Sequence, residues 1–288
     1  MYDIERAYFD WLITQYYSFD EVKEIGVYNS WLRDVFKLYS CRAPGITCLS
    51  ALKERLRKNE KTDSFISSKI NESKGCGGIM RVAPIGLLSK DKAESLCSQN
   101  NLRKEINSDD KETGSLEYVD MLAAEASAIT HSHPLGYMSS AVFAHIIYRI
   151  VNNVSDLSLK QIIIEARDTA VKLFAGDMYL KELTDIIDLA LELSENNDKD
   201  LDNIHRLGEG WVAEETLVIA LYCSLRYQND FSSGIIASVN HKGDSDSTGA
   251  VTGNILGAIC GYDAIEQKWK NDLELLGVIL RVADEISD

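Results

Sequence analysis

Apolar residues recur at three- and four-residue spacing along most of this chain, the period of a helix with one face turned inward. Ile4, Ala7, Tyr8, Trp11 and Leu12 form one stripe, Trp31, Leu32, Val35 and Phe36 a second, and Leu49, Leu52 and Leu56 a third. Longer periodic segments follow at Leu116 to Thr130, Gly136 to Val151, Leu159 to Phe174, Met178 to Leu193, Val212 to Leu225, Thr248 to Cys260 and Leu273 to Glu285. Strand alternation and hairpin dipeptides are scarce, and the 3 prolines (Pro44, Pro84, Pro134) lie between or at the edges of these segments. The pattern predicts an all-α protein folded as one domain over residues 1–288, without internal repeats. Gln99 to Gly114 is polar and charged and reads as an exposed connection. Gly249, Gly253, Gly257 and Gly261 recur at every fourth position, which predicts one helix face against which another backbone packs closely.

Composition narrows the partners more than the fold. A chain of 288 residues has ample volume for a core. Its net charge of -15 repels phosphate backbones and anionic lipid, which argues against nucleic acid and membrane surfaces as partners. A small anionic substrate is still admissible, because helix N-termini, a local arginine or a bound cation can hold one in a negative protein. The 6 cysteines show no Cys-x-x-Cys spacing and read as reduced, buried thiols. With no apolar run of membrane-spanning length and no signal pattern in residues 1–20, the expected location is cytoplasmic.

The densest chemistry lies in Gly243-Asp244-Ser245-Asp246-Ser247-Thr248-Gly249, at the start of a Gly/Ala-rich helical segment. Asp244, Asp246 and the Ser247 hydroxyl offer only oxygen donors, which suit Mg²⁺, Mn²⁺ or Ca²⁺ and suit zinc or copper poorly. Three protein oxygens leave a six-coordinate shell open. An EF-hand loop starting at Asp244 would need a bidentate Glu where Ile255 stands, so that reading fails. An Asp-x-Asp-x-Thr phosphotransfer nucleophile matches the letters but belongs at the end of a buried parallel strand, which this chain does not offer. A plain acidic helix cap by Asp246 or Ser247 is the simplest alternative, although it gives Asp244 no task.

With these residues in view, the chain resembles the ADP-ribosylglycohydrolase family, all-helical hydrolases. Four blocks carry the resemblance: Asn240 through Gly261, Gly75 through Pro84 (GCGGIMRVAP), Thr130-His131, and Gly208-Glu209-Gly210-Trp211. The resemblance implies an orthogonal multi-helix bundle and a metal-dependent cleavage of the glycosidic or ester bond between ADP-ribose and an acceptor, either a protein side chain or a small group. Partners would be an ADP-ribose-containing small molecule or an ADP-ribosylated protein.

Residue by residue, it implies Asp244, Asp246 and Ser247 as metal ligands and Gly75, Cys76, Gly77, Gly78, Arg81 and His131 as substrate-binding residues. Glu72 becomes a candidate general base, weighed against a solvent-facing glutamate. Cys76 stands where many relatives carry Asn. His131 alone would read as a helix-end histidine bonded to carbonyls, Arg81 as a structural ion pair, and His133 and His145 as structural. Trp211 is expected in the core rather than on an adenine.

One departure shapes these expectations. Family members begin with a Gly-Asp-x-x-Gly helix and a Thr-Asp-Asp or Ser-Asp-Asp motif that completes a two-metal site, and neither precedes the glycine loop in this sequence. The chain is therefore expected to begin after that motif, to hold at most one weakly bound Mg²⁺ or Mn²⁺ where a complete family site holds two, and to have little activity alone. Ser108-Asp109-Asp110 follows the loop and reads as solvated, and Thr62-Asp63-Ser64 lacks the second carboxylate. The alternative function is a catalytically impaired member that binds ADP-ribose or a related nucleotide, or has a structural role.

Overall fold

The computed structural model describes residues 2–22, 29–99, 111–152 and 157–287. Within them the helices are α1 Tyr2–Tyr16, α2 Phe19–Val22, α3 Ile46–Lys58, α4 Ala83–Gly86, α5 Lys90–Gln99, α6 Lys111–Ala128, α7 Pro134–Asn152 and α8 Leu159–Leu173. They continue with α9 Leu180–Glu195, α10 Asp200–Leu207, α11 Ala213–Arg226, α12 Phe231–Val239, α13 Ser245–Cys260, α14 Gln267–Lys270 and α15 Leu276–Ser287. Among the described residues there is no strand, only an isolated antiparallel bridge between Gly75 and Val212. The all-α expectation holds.

Helix α7 runs through the centre. Its residues from Leu135 to Tyr148 are buried on every side, as expected of a helix with little charge around its circumference. It packs against α4, α6, α8, α11 and α13, and α11, likewise buried from Ala213 to Ser224 apart from Glu215, carries the core on to α9 and α13. Burying a single Leu, Ile or Phe side chain in such a place contributes about 1.5–3 kcal/mol, so these two helices anchor everything that follows.

Charge is also buried beside α7. His145, fully enclosed, lies between Asp120 of α6 (Nδ1 to Oδ2, 2.9 Å) and Glu165 of α8 (Nε2 to Oε2, 3.7 Å), and Arg149 bridges Glu165 and Glu112 at 2.5 and 3.1 Å. Burial opposes the imidazolium, but the Asp120 and Glu165 carboxylates outweigh it and hold His145 up at about 9. The histidine expected to be structural thus sits in a buried ion-pair network.

Several local expectations need correction. The stripe at Trp31, Leu32, Val35 and Phe36 forms two short 3-10 turns, Trp31–Asp34 and Phe36–Leu38, because Val35 between them is extended (φ -89, ψ 99). Phe36 and Leu56 are exposed, and Met178 lies outside α9 in solvent. The polar connection is shorter than expected: α5 extends to Gln99 and Lys111 already begins α6, while Ser108-Asp109-Asp110 falls outside the described residues.

The glycine row does not bring two backbones together. A Cβ at Gly249 would meet the Val239 side chain of α12 at 2.6 Å and one at Gly253 the Ile235 side chain at 3.4 Å, whereas Gly257 and Gly261 meet nothing. Each four-residue step drifts by about 40° around a helix of 3.6 residues per turn, so four glycines cannot stay on one contact line. All six cysteines are free, but Cys41 is exposed and Cys76 and Cys260 are half-buried, so only Cys48, Cys97 and Cys223 are the buried thiols the sequence suggested.

Candidate active site

Three loops meet at the N-termini of α11 and α13. The bridge between Gly75 and Val212 is flanked by two hydrogen bonds, from Cys76 N to Trp211 O (3.3 Å) and from Ala213 N to Lys74 O (2.8 Å). The loop ahead of α13 then docks on the same segment, with Asp244 N donating to Glu209 O at 2.7 Å. Glycine is required at position 243, since a Cβ there would stand 1.7 Å from that carbonyl oxygen. In the first turn of α11, Glu215 Oε2 accepts from the backbone N–H groups of Glu209 and Gly210, both at 3.0 Å. His241 Nδ1 accepts from Gly243 N at 3.0 Å, so its Nε2 bears the proton and donates to Thr248 Oγ1 at 2.9 Å.

This framework presents the acidic residues to the glycine loop. Asp244 Oδ2 accepts from the Cys76 thiol at 2.9 Å and from the Ser247 hydroxyl at 2.8 Å, and Ser247 Oγ is also 3.2 Å from Cys76 Sγ and 3.1 Å from Met80 Sδ. Burial, and then the hydrogen bond to Asp244, push the Cys76 thiol up to about 12, so it remains a neutral donor. The exposed Asp246 side chain shares a hydrogen bond with Asp244, which together with partial burial raises its carboxyl above the ordinary range.

Two facing carboxylates and a hydroxyl fit part of the shell of a hard divalent cation. They do not complete one. Among the described residues no group of three His, Cys, Asp or Glu side chains forms a metal-holding set.

The other wall is His131, placed by the end of α6. Arg55 donates to the carbonyls of Ile129 (2.6 Å) and Ala128 (3.1 Å), satisfying the helix C-terminus with a cation, and Asn71 Nδ2 donates to Thr130 O at 2.8 Å. The buried imidazole then faces the loop: a Cβ at Gly77 would lie 3.1 Å from His131 Cε1 and 3.1 Å from Cys48 Sγ, leaving room only for glycine's hydrogen unless the side chains yield. Burial, aided by the Arg81 charge, depresses His131 to about 3 and keeps it neutral. Arg81 turns inward, with Nη2 donating to Thr130 Oγ1 at 2.5 Å, Nη1 to Cys48 Sγ at 3.0 Å, and its guanidinium over the Tyr8 ring.

The structure thus brings Gly75, Cys76, Gly77, Gly78, His131, Asp244, Asp246 and Ser247 together through a chain of direct contacts. It places Glu72 apart from that chain of contacts: its side chain is 72% exposed and paired with Lys69. Trp211 is 58% exposed, not in the core; its indole donates to Glu209 Oε2 at 3.2 Å, and only its backbone pairs inward.

Sequence reasoning missed Lys74, which pairs with the buried Glu214 of α11 and, at 3.6 Å, with Glu182. It also missed His241. The only available signals were Lys74's position next to the glycines and an acidic residue in the first turn of α11. A cavity of about 680 Å³ is bordered by Gly208, Glu209, His241, Lys242 and Gly243, beside the Asp244 loop rather than at the carboxylates.

Comparison with known proteins gives the family. The family model for ADP-ribosylglycohydrolase matches residues 2–288. The curated protein ADP-ribosylhydrolase ARH3 of Homo sapiens is 24% identical over 227 residues, covering 70% of this chain and 54% of that protein. ARH3 of Bos taurus and of Mus musculus are each 22% identical over 227 residues, with 70% of this chain and 54% and 53% of theirs covered. The chain thus spans about half the length of these relatives. Since the model spans almost all of its residues, the chain belongs to the ADP-ribosylglycohydrolase family.

Proposed function

We propose that this chain hydrolyses the bond between ADP-ribose and an acceptor where the glycine loop meets the start of α13. The observation that carries this reading is the contact of Cys76 Sγ with Asp244 Oδ2 at 2.9 Å. Through it a doubly acidic helix N-terminus is set against the backbone N–H groups of a glycine loop and a neutral imidazole. ADP-ribose calls for such a pairing, with N–H donors for the pyrophosphate and negative charge near the ribose, whose anomeric carbon becomes oxocarbenium-like on cleavage. Family membership and the ADP-ribosylhydrolase relatives support it.

Asp244, Asp246 and Ser247 would hold Mg²⁺ or Mn²⁺, one ion and weakly by their number. When bound, such an ion polarises ribose hydroxyls and lowers the pKa of a water. The protein's own contribution is orientation. Glu209 and Glu215 fix the Asp244 backbone, Lys74 ties the loop to α11, and His131 offers a hydrogen bond without charge. Glu72 is a general-base candidate by resemblance alone.

The test is chromatographic measurement of ADP-ribose released, with Mg²⁺ or Mn²⁺, from ADP-ribosyl-arginine, an ADP-ribosyl-serine peptide and an ADP-ribose ester. Release from one of them, lost with a chelator and in Asp244→Ala, is the expected result, and Glu72→Gln measured alongside decides the role of Glu72. Binding of ADP-ribose with no release would favour the impaired-member alternative. Neither binding nor release would sink both the hydrolase reading and the ADP-ribose-binding alternative and leave the structural role.

A further inference from the structure

We propose that Arg81 is a positioning residue which, through the Thr130 hydroxyl, fixes His131 as the neutral tautomer with its proton on Nε2, aimed at the glycine loop. The functional consequence rests on the reading of that loop as the ADP-ribose site. The tautomer does not.

The proton placement follows from counting donors. Arginine only donates, so the 2.5 Å contact from Arg81 Nη2 takes a lone pair of Thr130 Oγ1. Thr130 is fully buried, and His131 Nδ1, at 2.8 Å, is the other partner of that oxygen among the described residues. If Nδ1 carried the proton, the threonine hydroxyl would have no acceptor for its own, and a buried unsatisfied donor is costly. The hydroxyl therefore donates to Nδ1, and a neutral ring must then carry its hydrogen on Nε2. That nitrogen faces the loop, since Cβ atoms built on Gly75 and Gly77 would each lie 3.4 Å from it.

Arg81 is suited to this task and turned away from direct charge donation. Its Nη1 is spent on Cys48 Sγ at 3.0 Å, the Tyr8 ring lies 4.7 Å from its guanidinium carbon, and its Nε is buried with no hydrogen-bond partner among the described residues. A cation held there orients the hydroxyl. The result is a directional N–H for an anionic oxygen, supplied by a ring that carries no charge.

Long-range ¹H–¹⁵N correlation spectra of the chain labelled at histidine nitrogen test this directly. The unmodified chain should show His131 with Nδ1 unprotonated and Nε2 protonated. Thr130→Val and Arg81→Gln should lose that pure signature, and Thr130→Ser should restore it. ADP-ribose binding, read by calorimetry, should weaken about tenfold in Thr130→Val and recover to within about threefold in Thr130→Ser, as for one hydrogen bond.

An Nδ1-protonated ring in the unmodified chain overturns the proposal, and this measurement decides even where a variant does not fold. A parental signature in folded Arg81→Gln removes Arg81 from the relay. The expected tautomer in a chain that binds no ADP-ribose would defeat the proposed function and leave the positioning intact.

Discussion

The Cys76 thiol donates to Asp244 Oδ2 across 168 positions of sequence, and together with the Ser247 contacts to Cys76 and Met80 it joins the glycine loop to the acidic helix terminus. Because the thiol is half-buried and bonded to a carboxylate, it should behave unlike an exposed cysteine. Under iodoacetamide at pH 8, peptide mass spectrometry should find Cys76 alkylated at least roughly tenfold more slowly than exposed Cys41, since only the thiolate reacts. Asp244→Ala should speed the reaction at Cys76. Equal rates at the two cysteines would show that the thiol is not held as described.

Cation binding should follow ligand count. Calorimetric titration with Mn²⁺ is expected to show at most one weak site, lost in Asp244→Ala and in Asp246→Ala, because two carboxylates and a hydroxyl leave most of a shell to water. Two tight sites would mean that carboxylates outside this cluster contribute.

Gly243→Ala should be among the most damaging single-atom additions near the site. The new Cβ would stand 1.7 Å from the Glu209 carbonyl oxygen and force apart the two loops joined by the Asp244 N to Glu209 O bond. A loss of at least about 2 kcal/mol in urea unfolding is expected, in the upper range for overpacked sites. Gly257→Ala, where a Cβ meets nothing within 4 Å, should be neutral or slightly stabilising and serves as the control.

Two buried histidines should bound stability from opposite sides of pH 6.5. His145 is raised to about 9, so its contribution is complete below 6.5 and is lost as pH climbs through 9. His131 is depressed to about 3, so its contribution is present above 6.5 and is lost as pH falls towards 3. Unfolding free energy measured from pH 5 to 10 should therefore decline on both sides, by a few kcal/mol on the alkaline side, and His145→Gln should flatten the alkaline limb alone. An alkaline limb unchanged in that variant would remove His145 as its cause.

What the sequence made legible tracks how strongly periodicity and chemistry coincide. Helices α7 and α11 announced themselves because long runs of apolar residues bury all around them. The Asp244-to-Ser247 cluster was equally visible, since its residues are neighbours in the chain. Helix α10, with 8 residues, and α14, with 4, were too short to show a period, and the Trp31 stripe imitated one that the extended Val35 interrupts.

The site's second layer was hidden for a different reason. The Lys74 to Glu214 pair and the inward turn of Arg81 arise only from contacts between distant segments, and a guanidinium beside a glycine loop looks alike whether it faces a ligand or the interior. Trp211 misled because its backbone pairs inward while its ring does not.

The bridge between Gly75 and Val212, and the docking of Asp244 on Glu209 beyond it, also bear on how the chain matures. As residues leave the ribosome in order, α6 and α7 can pack well before α13 exists, since the early part of a chain folds during synthesis. The site has no such head start: its loop is made early, the segment that pairs with it midway, and its carboxylates near the end. A nascent chain stalled ahead of Asp244 would own much of the core and none of the cation-facing oxygens. Ligand recognition thereby becomes a property of the finished translation product, and a ligand-binding assay would separate completed chains from well-packed fragments that circular dichroism would score as folded.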